Sequence, residues 1–210
     1  MSDDDEPQLS AATFAALQEF YNEEKERQDK VAKILESVND NKQDIPQFQE
    51  DWQLSQFWYD DETADRLAKE VLKAAGPEGK IALVSCPTLY TRLKKSNANV
   101  TLFEYDERFA AYETDFCFYD YRNPLKVPSE MTSSFDIVVA DPPFLSEECL
   151  TKTAVTIRYL AKDKILLCTG AVMSDLAQRL LQVRQLDFLP GHRNNLGNEF
   201  RCFANFECGL

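Results

Sequence analysis

Residues 135–148 read FDIVVADPPFLSEE. A run of β-branched and small apolar residues closes on a carboxylate, Asp141, and Pro142, Pro143 and the aromatic Phe144 follow at once. Proline has no N–H to give to a sheet ladder, so the strand stops here and leaves Asp141 at its carboxyl end.

Outward from this strand the chain alternates between two periods. KIALVSCP (80–87), NVTLFEYD (99–106), TDFCFYDY (114–121) and DKILLCTG (163–170) read as further strands. DDETADRLAKEVLKAAG (60–76) reads as a helix, with Asp60 or Asp61 as cap, Leu67, Val71 and Leu72 on one face and Gly76 as stop. SEECLTKTAVTIRYLA (146–161) and SDLAQRLLQVR (174–184) are also helical. Alternating strand and helix implies an α/β fold, a Rossmann-like parallel sheet covered on both faces. No helix separates QLDFLPG (185–191) from FRCFANFE (200–207), so these should form an antiparallel C-terminal hairpin around HRNNLGN (192–198).

Upstream, LSAATFAALQEFYNEEKERQDKVAKILESVND (9–40) carries apolar residues at three- and four-residue intervals, with Ser10 placed to cap a helix. NDNKQDIPQF (39–48) then breaks the pattern as a linker. Two regions are expected: an acidic helical segment with its linker over 1–45 and a globular domain over 46–210.

Composition narrows the function. The 210 residues, 44% hydrophobic and 11% aromatic, suffice for a sizeable core. No apolar run approaches the roughly 20 residues that span a bilayer. The opening MSDDDEPQLS is acidic where a signal peptide is basic and then apolar, so a cytoplasmic protein with no membrane partner is expected. Cys86, Cys117, Cys149, Cys168, Cys202 and Cys208 form no C-x-x-C pair, and His192 is the sole histidine. Reduced, mostly buried thiols follow, with neither a metal site nor a disulfide framework. The net charge of −13 speaks against nucleic acid as primary substrate, because phosphate binding draws on Lys and Arg. Residues 1–51 hold 14 acidic residues against 5 basic ones, so most of that charge sits in the amino-terminal region, which suits a basic protein partner.

In an open α/β sheet, ligands bind outside the carboxyl ends of the strands. Those ends carry Ser85, Cys86 and Pro87 after the first strand, Glu104 and Asp106 after the second, Asp120 after the third and Asp141 after the fourth. A carboxylate after the second strand suits a ribose diol, and Glu104, directly after VTLF, is preferred to Asp106. Asp120 is placed to accept an exocyclic adenine amine. SCPTLYTRL lacks the glycines that let a backbone approach a pyrophosphate, so a nucleoside ligand without phosphates is favoured.

DPPF resembles the D/N-P-P-Y/F/W motif of amino-group methyltransferases that use S-adenosylmethionine. The residue types suit that chemistry. The Asp141 carboxylate and the Pro142 carbonyl accept N–H bonds and aim the amine's lone pair, the two prolines hold both rigid, and Phe144 walls the substrate. EDWQLSQFWYDDETADRLAKEV, SCPTLY, LFEYDERF, DPPFLSEECL and NEFRCFANF together resemble the adenine-N6-methyltransferase-like family, in particular its lysine methyltransferases of translation elongation factor 1-alpha. The resemblance implies a seven-stranded methyltransferase fold, S-adenosylmethionine as cofactor, a lysine of that factor as acceptor, and Asp141, Pro142, Pro143 and Phe144 as catalytic residues. It also assigns cofactor contacts to Trp58, Tyr59, Ser85, Cys86, Pro87, Glu104 and Asp120. Within it, Phe57, Trp58 and Tyr59 either stack on adenine or line a lysine tunnel, against the plainer reading of an aromatic core cluster. A monomer is expected. Two other readings stay open: a nucleic-acid adenine-N6 methyltransferase, whose amine needs the same acceptors, and a catalytically degenerate binding module.

Overall fold

The structure is a computed structural model that describes residues 10, 13–15, 17–19, 21–22, 25–26, 29, 32–33, 48–194 and 196–210. The chain divides into two compact units, Met1–Asp44 and Ile45–Leu210. In the first, the described residues between 13 and 33 are helical, and Ser10 Oγ accepts from Thr13 N at 3.1 Å, as a capping serine should. The expected linker lies outside the described residues up to Gln47.

The second unit is built on one seven-stranded sheet of order β3-β2-β1-β4-β5-β7-β6. The strands are β1 (Lys80–Val84), β2 (Asn99–Glu104), β3 (Phe116–Phe118), β4 (Phe135–Ala140), β5 (Ala161–Gly170), β6 (Arg184–Gln185) and β7 (Phe200–Ala204). β1 to β5 pair in parallel, whereas β7 runs antiparallel between β5 and β6. Strand alternation divides the core: Ile81, Leu83, Ile137 and Val139 face one apolar cluster, and Ala82, Val84, Val138 and Ala140 face the other. Helix α1 (Asp61–Ala75) buries Leu67 and Val71 in the first cluster; α3 (Glu147–Leu160) and α4 (Ser174–Leu181) cover the second. The short α2 (Tyr90–Lys95) joins β1 to β2.

Caps set the helix limits. Asp60 caps α1 by accepting from Thr63 N at 2.7 Å, Gly76 ends it at φ 78°, and Ser146 caps α3 by accepting from Cys149 N at 3.2 Å. Three expected elements are corrected. The helix read over 174–184 ends at Leu181, because Gln182 turns left-handed at φ 56° and the chain then enters β6. The strand read over 114–121 shrinks to three residues, because a 3-10 stretch capped by Asp106 persists over Glu107–Asp115. The hairpin strand read over 185–191 pairs only at its start: Leu186 N still donates to Cys202 O at 2.8 Å, and then the chain leaves the sheet. Asp60 N donates to Gly191 O at 3.1 Å, Tyr59 and His192 form an antiparallel bridge, and Arg193 N donates to Trp58 O at 2.9 Å. Residues 58–60 and 191–193 thus zip together, which carries the final loop onto the carboxyl ends of the strands.

Candidate active site

The order reverses between β1 and β4, where a doubly wound sheet opens a crevice. The Asp141 N–H donates to Val84 O at 3.1 Å and the Ser85 N–H to Phe103 O at 2.8 Å, so the ends of β4 and β1 are pinned to their neighbours. Ser85 holds φ at 53°, a left-handed conformation that costs a non-glycine residue roughly 1 kcal/mol. It turns the chain there without a glycine.

Above these ends lies a cavity of about 680 Å³. Trp58, Ser85, Cys86, Pro87, Glu104, Asp120, Asp141, Pro142, Pro143 and Phe144 all stand on its wall. Tyr59 does not: it is 1% exposed and lies one layer behind. Of the aromatic trio, Phe57 sits exposed on the rim and Trp58 is buried with the Arg193 guanidinium 5.4 Å from its ring centre. Phe144 is also exposed, its ring edge-on to Tyr121 at 5.8 Å.

The carboxylates differ in their commitments. Asp106 is fully engaged, accepting from Gln56 Nε2 at 2.9 Å and from Arg108 Nη2 at 2.6 Å and Nε at 2.9 Å. Glu104 is buried and its Oε1 accepts from Tyr105 N at 3.0 Å and Asp106 N at 3.3 Å. Burial pushes its carboxyl up to about 7, against the pull of those N–H groups. For Asp120 burial acts the same way, but Arg122, donating Nε at 3.0 Å and its backbone N–H at 3.0 Å, outweighs it and holds the carboxyl below the usual range.

Asp141 is the least compensated. Its carboxyl is pushed up to about 7 by burial, opposed by the nearby Tyr59 hydroxyl, and among the described residues it forms no ion pair. Among the described residues, Trp58 Nε1 and Tyr59 Oη are buried without a hydrogen-bond partner of ordinary geometry. Two stretches of wall were given no site residue in the sequence reading: residues 53–56, latched by Gln56 to Asp106 just after β2, and His192, Leu196, Gly197 and Asn198 of the final loop. Residues 53–56 lie within the 50–71 stretch that carries the family resemblance, and the sole histidine, in a glycine-flanked loop, was the available signal for the second.

The strand order, the single antiparallel strand and an uncompensated carboxylate followed by two prolines and an aromatic ring define an amino-group methyltransferase of Rossmann-like fold. The sequence profile of the family described as "Probable N6-adenine methyltransferase" matches residues 50–208, and the chain belongs to that family. It is 51% identical to EEF1A lysine methyltransferase 1 of Homo sapiens, over 100% of this chain and 97% of that protein. It is 39% identical to protein-lysine N-methyltransferase EFM5 of Saccharomyces cerevisiae, over 95% of this chain and 92% of that one. Among solved structures, the branched-chain polyamine synthase of Thermus thermophilus, in complex with N4-aminopropylspermidine and 5'-methylthioadenosine, shares the fold at a TM-score of 0.52 and 12% identity, covering 81% of this chain and 62% of that one.

Proposed function

We propose that the chain is a protein-lysine N-methyltransferase that uses S-adenosylmethionine and modifies a lysine of translation elongation factor 1-alpha. The observation that carries this reading is the Asp141 carboxylate, facing the cavity with no cation of its own. A site of that kind is completed by a positively charged ligand, and a lysine supplies the charge as its ammonium and, once that proton is given up, the nucleophile as its amine. Arg122 on the cavity wall is already paired with Asp120, as Arg108 is with Asp106 and Arg193, over Trp58, with Asp61, which leaves little to attract a phosphate backbone. The relatives' names point the same way, and the family's adenine label describes an amine that needs the same acceptors.

The wall suits the cofactor. Glu104 would take the ribose hydroxyls and Asp120 the adenine amine, while the glycine-free turn at Ser85 asks for no phosphate. When bound, S-adenosylmethionine supplies a methyl group on a positively charged sulfur. The chain's own part is to hold the amine: Asp141 and the Pro142 carbonyl accept its N–H bonds, and the prolines keep both acceptors still. With its carboxyl pushed up to about 7, Asp141 is also better suited than an ordinary carboxylate to take the ammonium's proton. A monomer in the cytosol is proposed with it, in keeping with the acidic, polar composition of the chain.

The test offers radiolabelled methyl donor with recombinant elongation factor, duplex DNA and RNA in separate reactions. Label on a lysine of the factor is expected, at a rate that climbs from about pH 7 toward 9 as the ammonium deprotonates. Label on nucleic acid, or a flat pH profile with chemistry limiting, overturns the lysine assignment.

A further inference from the structure

Tyr59 has the sequence position of a cavity residue and the burial of a core residue. The zip between residues 58–60 and 191–193 turns its ring inward, against His192 at 5.2 Å, and Asp60 then starts α1. Its hydroxyl ends without a hydrogen-bond partner of ordinary geometry, in the layer that supports Asp141. A buried hydroxyl in that state calls for an explanation.

We propose, resting on the methyl-transfer reading of the cavity, that Tyr59 is the positioning residue of Asp141: its hydroxyl donates to one carboxylate oxygen from behind the wall and leaves the other oxygen to the acceptor amine. The hydroxyl lies within reach of two acceptors, the Asp141 carboxylate and the Cys86 sulfur, and a carboxylate is much the stronger acceptor of the two. Cys86 after β1 and Cys202 on β7 face Asp141, and Cys168 on β5 lies against Cys202 at 3.1 Å, while Glu104 faces Cys86. Burial pushes the Cys86 thiol up, and contact with Cys168 together with burial pushes the Cys202 thiol up, so both stay neutral and donate weakly. Burial, then the Asp141 charge, also keeps the proton on Tyr59. The phenol is thus a stronger donor than either thiol beside the carboxylate. By favouring the ionised form it keeps a larger share of Asp141 anionic near neutral pH than burial alone would leave, which favours a cationic ammonium over a neutral aromatic amine.

The experiment follows thermal melts of the unliganded full chain from pH 5 to 8.5 for wild type, Y59F, D141N and the double variant. A carboxyl raised in the folded state adds stability below its unfolded pKa and loses it as pH rises through the folded one. Removing the hydroxyl should raise the Asp141 pKa further, by about one unit. Y59F should therefore lose more stability across the window than wild type, and the difference should vanish in the D141N background. In turnover, the acid limb of kcat should move up by about one pH unit, with cofactor affinity within about twofold of wild type. Equal pH dependence in Y59F and wild type, or a Y59F effect that persists in D141N, overturns the proposal. Should Y59F not fold, carbon NMR of aspartate-labelled wild type gives the answer: the Asp141 carboxyl carbon, assigned through D141N, should show a light-to-heavy water isotope shift from one bonded hydroxyl hydrogen, and its absence refutes the contact. A protein that methylates no acceptor defeats the methyl-transfer reading while leaving the melts to decide on Tyr59.

Discussion

Two carboxyls, those of Glu104 and Asp141, share a wall and a titration range yet have different jobs. Asp141 interacts with a charge that grows on nitrogen as the methyl arrives, so its contribution is larger in the transition state than in the ground state. Asp141→Ala should lower kcat by about 100-fold or more while cofactor affinity by calorimetry stays near wild type. Asp141→Asn should be milder, because an amide carbonyl still accepts one bond; a near-normal rate in the alanine variant would reduce the motif to a strand exit. Glu104 belongs to the cofactor side. Its carboxyl is raised to about 7 by burial, so it stabilises the fold below the unfolded value of about 4.3 and loses that contribution as pH climbs through the folded value. Glu104→Gln keeps an acceptor for Tyr105 N but removes the titration. It should flatten the decline of melting temperature between pH 5 and 8 and weaken cofactor binding together, and a variant that does only one of these separates the two roles. Both residues were legible in the sequence because a strand end announces itself, by prolines at Asp141 and by the change from VTLF to acid at Glu104. Tyr59 was legible only as an aromatic near the site. Which way its ring turns depends on a partner segment 133 positions away (192 − 59), as the Tyr59–His192 bridge shows, and local pattern holds no such information.

The same limit governs the elements. β1, β2, β4 and β5 could be read because burial on both faces leaves continuous apolar runs, and α1 because its cap, apolar stripe and glycine stop agree. The C-terminal pairing could be read as antiparallel, but not that its loop would abandon the sheet to join residues 58–60. Gly191 makes that junction possible. A Cβ there would collide with Asp60 Oδ2, while the Gly191 N–H donates to Thr63 Oγ1 at 2.9 Å and its carbonyl accepts from Asp60 N at 3.1 Å. Gly191→Ala should thus break the cap of α1 and the anchor of the His192 loop together, costing about 1–3 kcal/mol of stability and weakening ligand binding. Gly197, in the same loop, meets nothing within 4 Å of a built Cβ, so Gly197→Ala serves as the control and should leave the melt within about 0.5 kcal/mol of wild type. Equal melting of the two variants would show that the zip contributes little.

At the scale of the whole molecule, charge and core separate along the chain. Among the described residues, the apolar clusters on both faces of the sheet draw on Phe48 and positions after it, whereas the acidic excess concentrates in residues 1–51. Phe14, Leu17 and Tyr21 of the first unit are exposed, and the chain divides into two compact units after Asp44. A chain lacking residues 1–44 is therefore expected to melt cooperatively, within a few degrees of the full chain, and to bind the cofactor unchanged. Its encounter with a basic protein surface should suffer, because an acidic arm raises association rates through a field that salt screens over about 10 Å at 0.1 M. Turnover on the protein substrate should consequently fall at low ionic strength and converge with the full chain at high salt, while turnover on a short lysine peptide should be the same for both. Loss of the cooperative melt would make the first unit part of the core after all, and a salt-independent deficit would replace steering with a direct contact to the substrate.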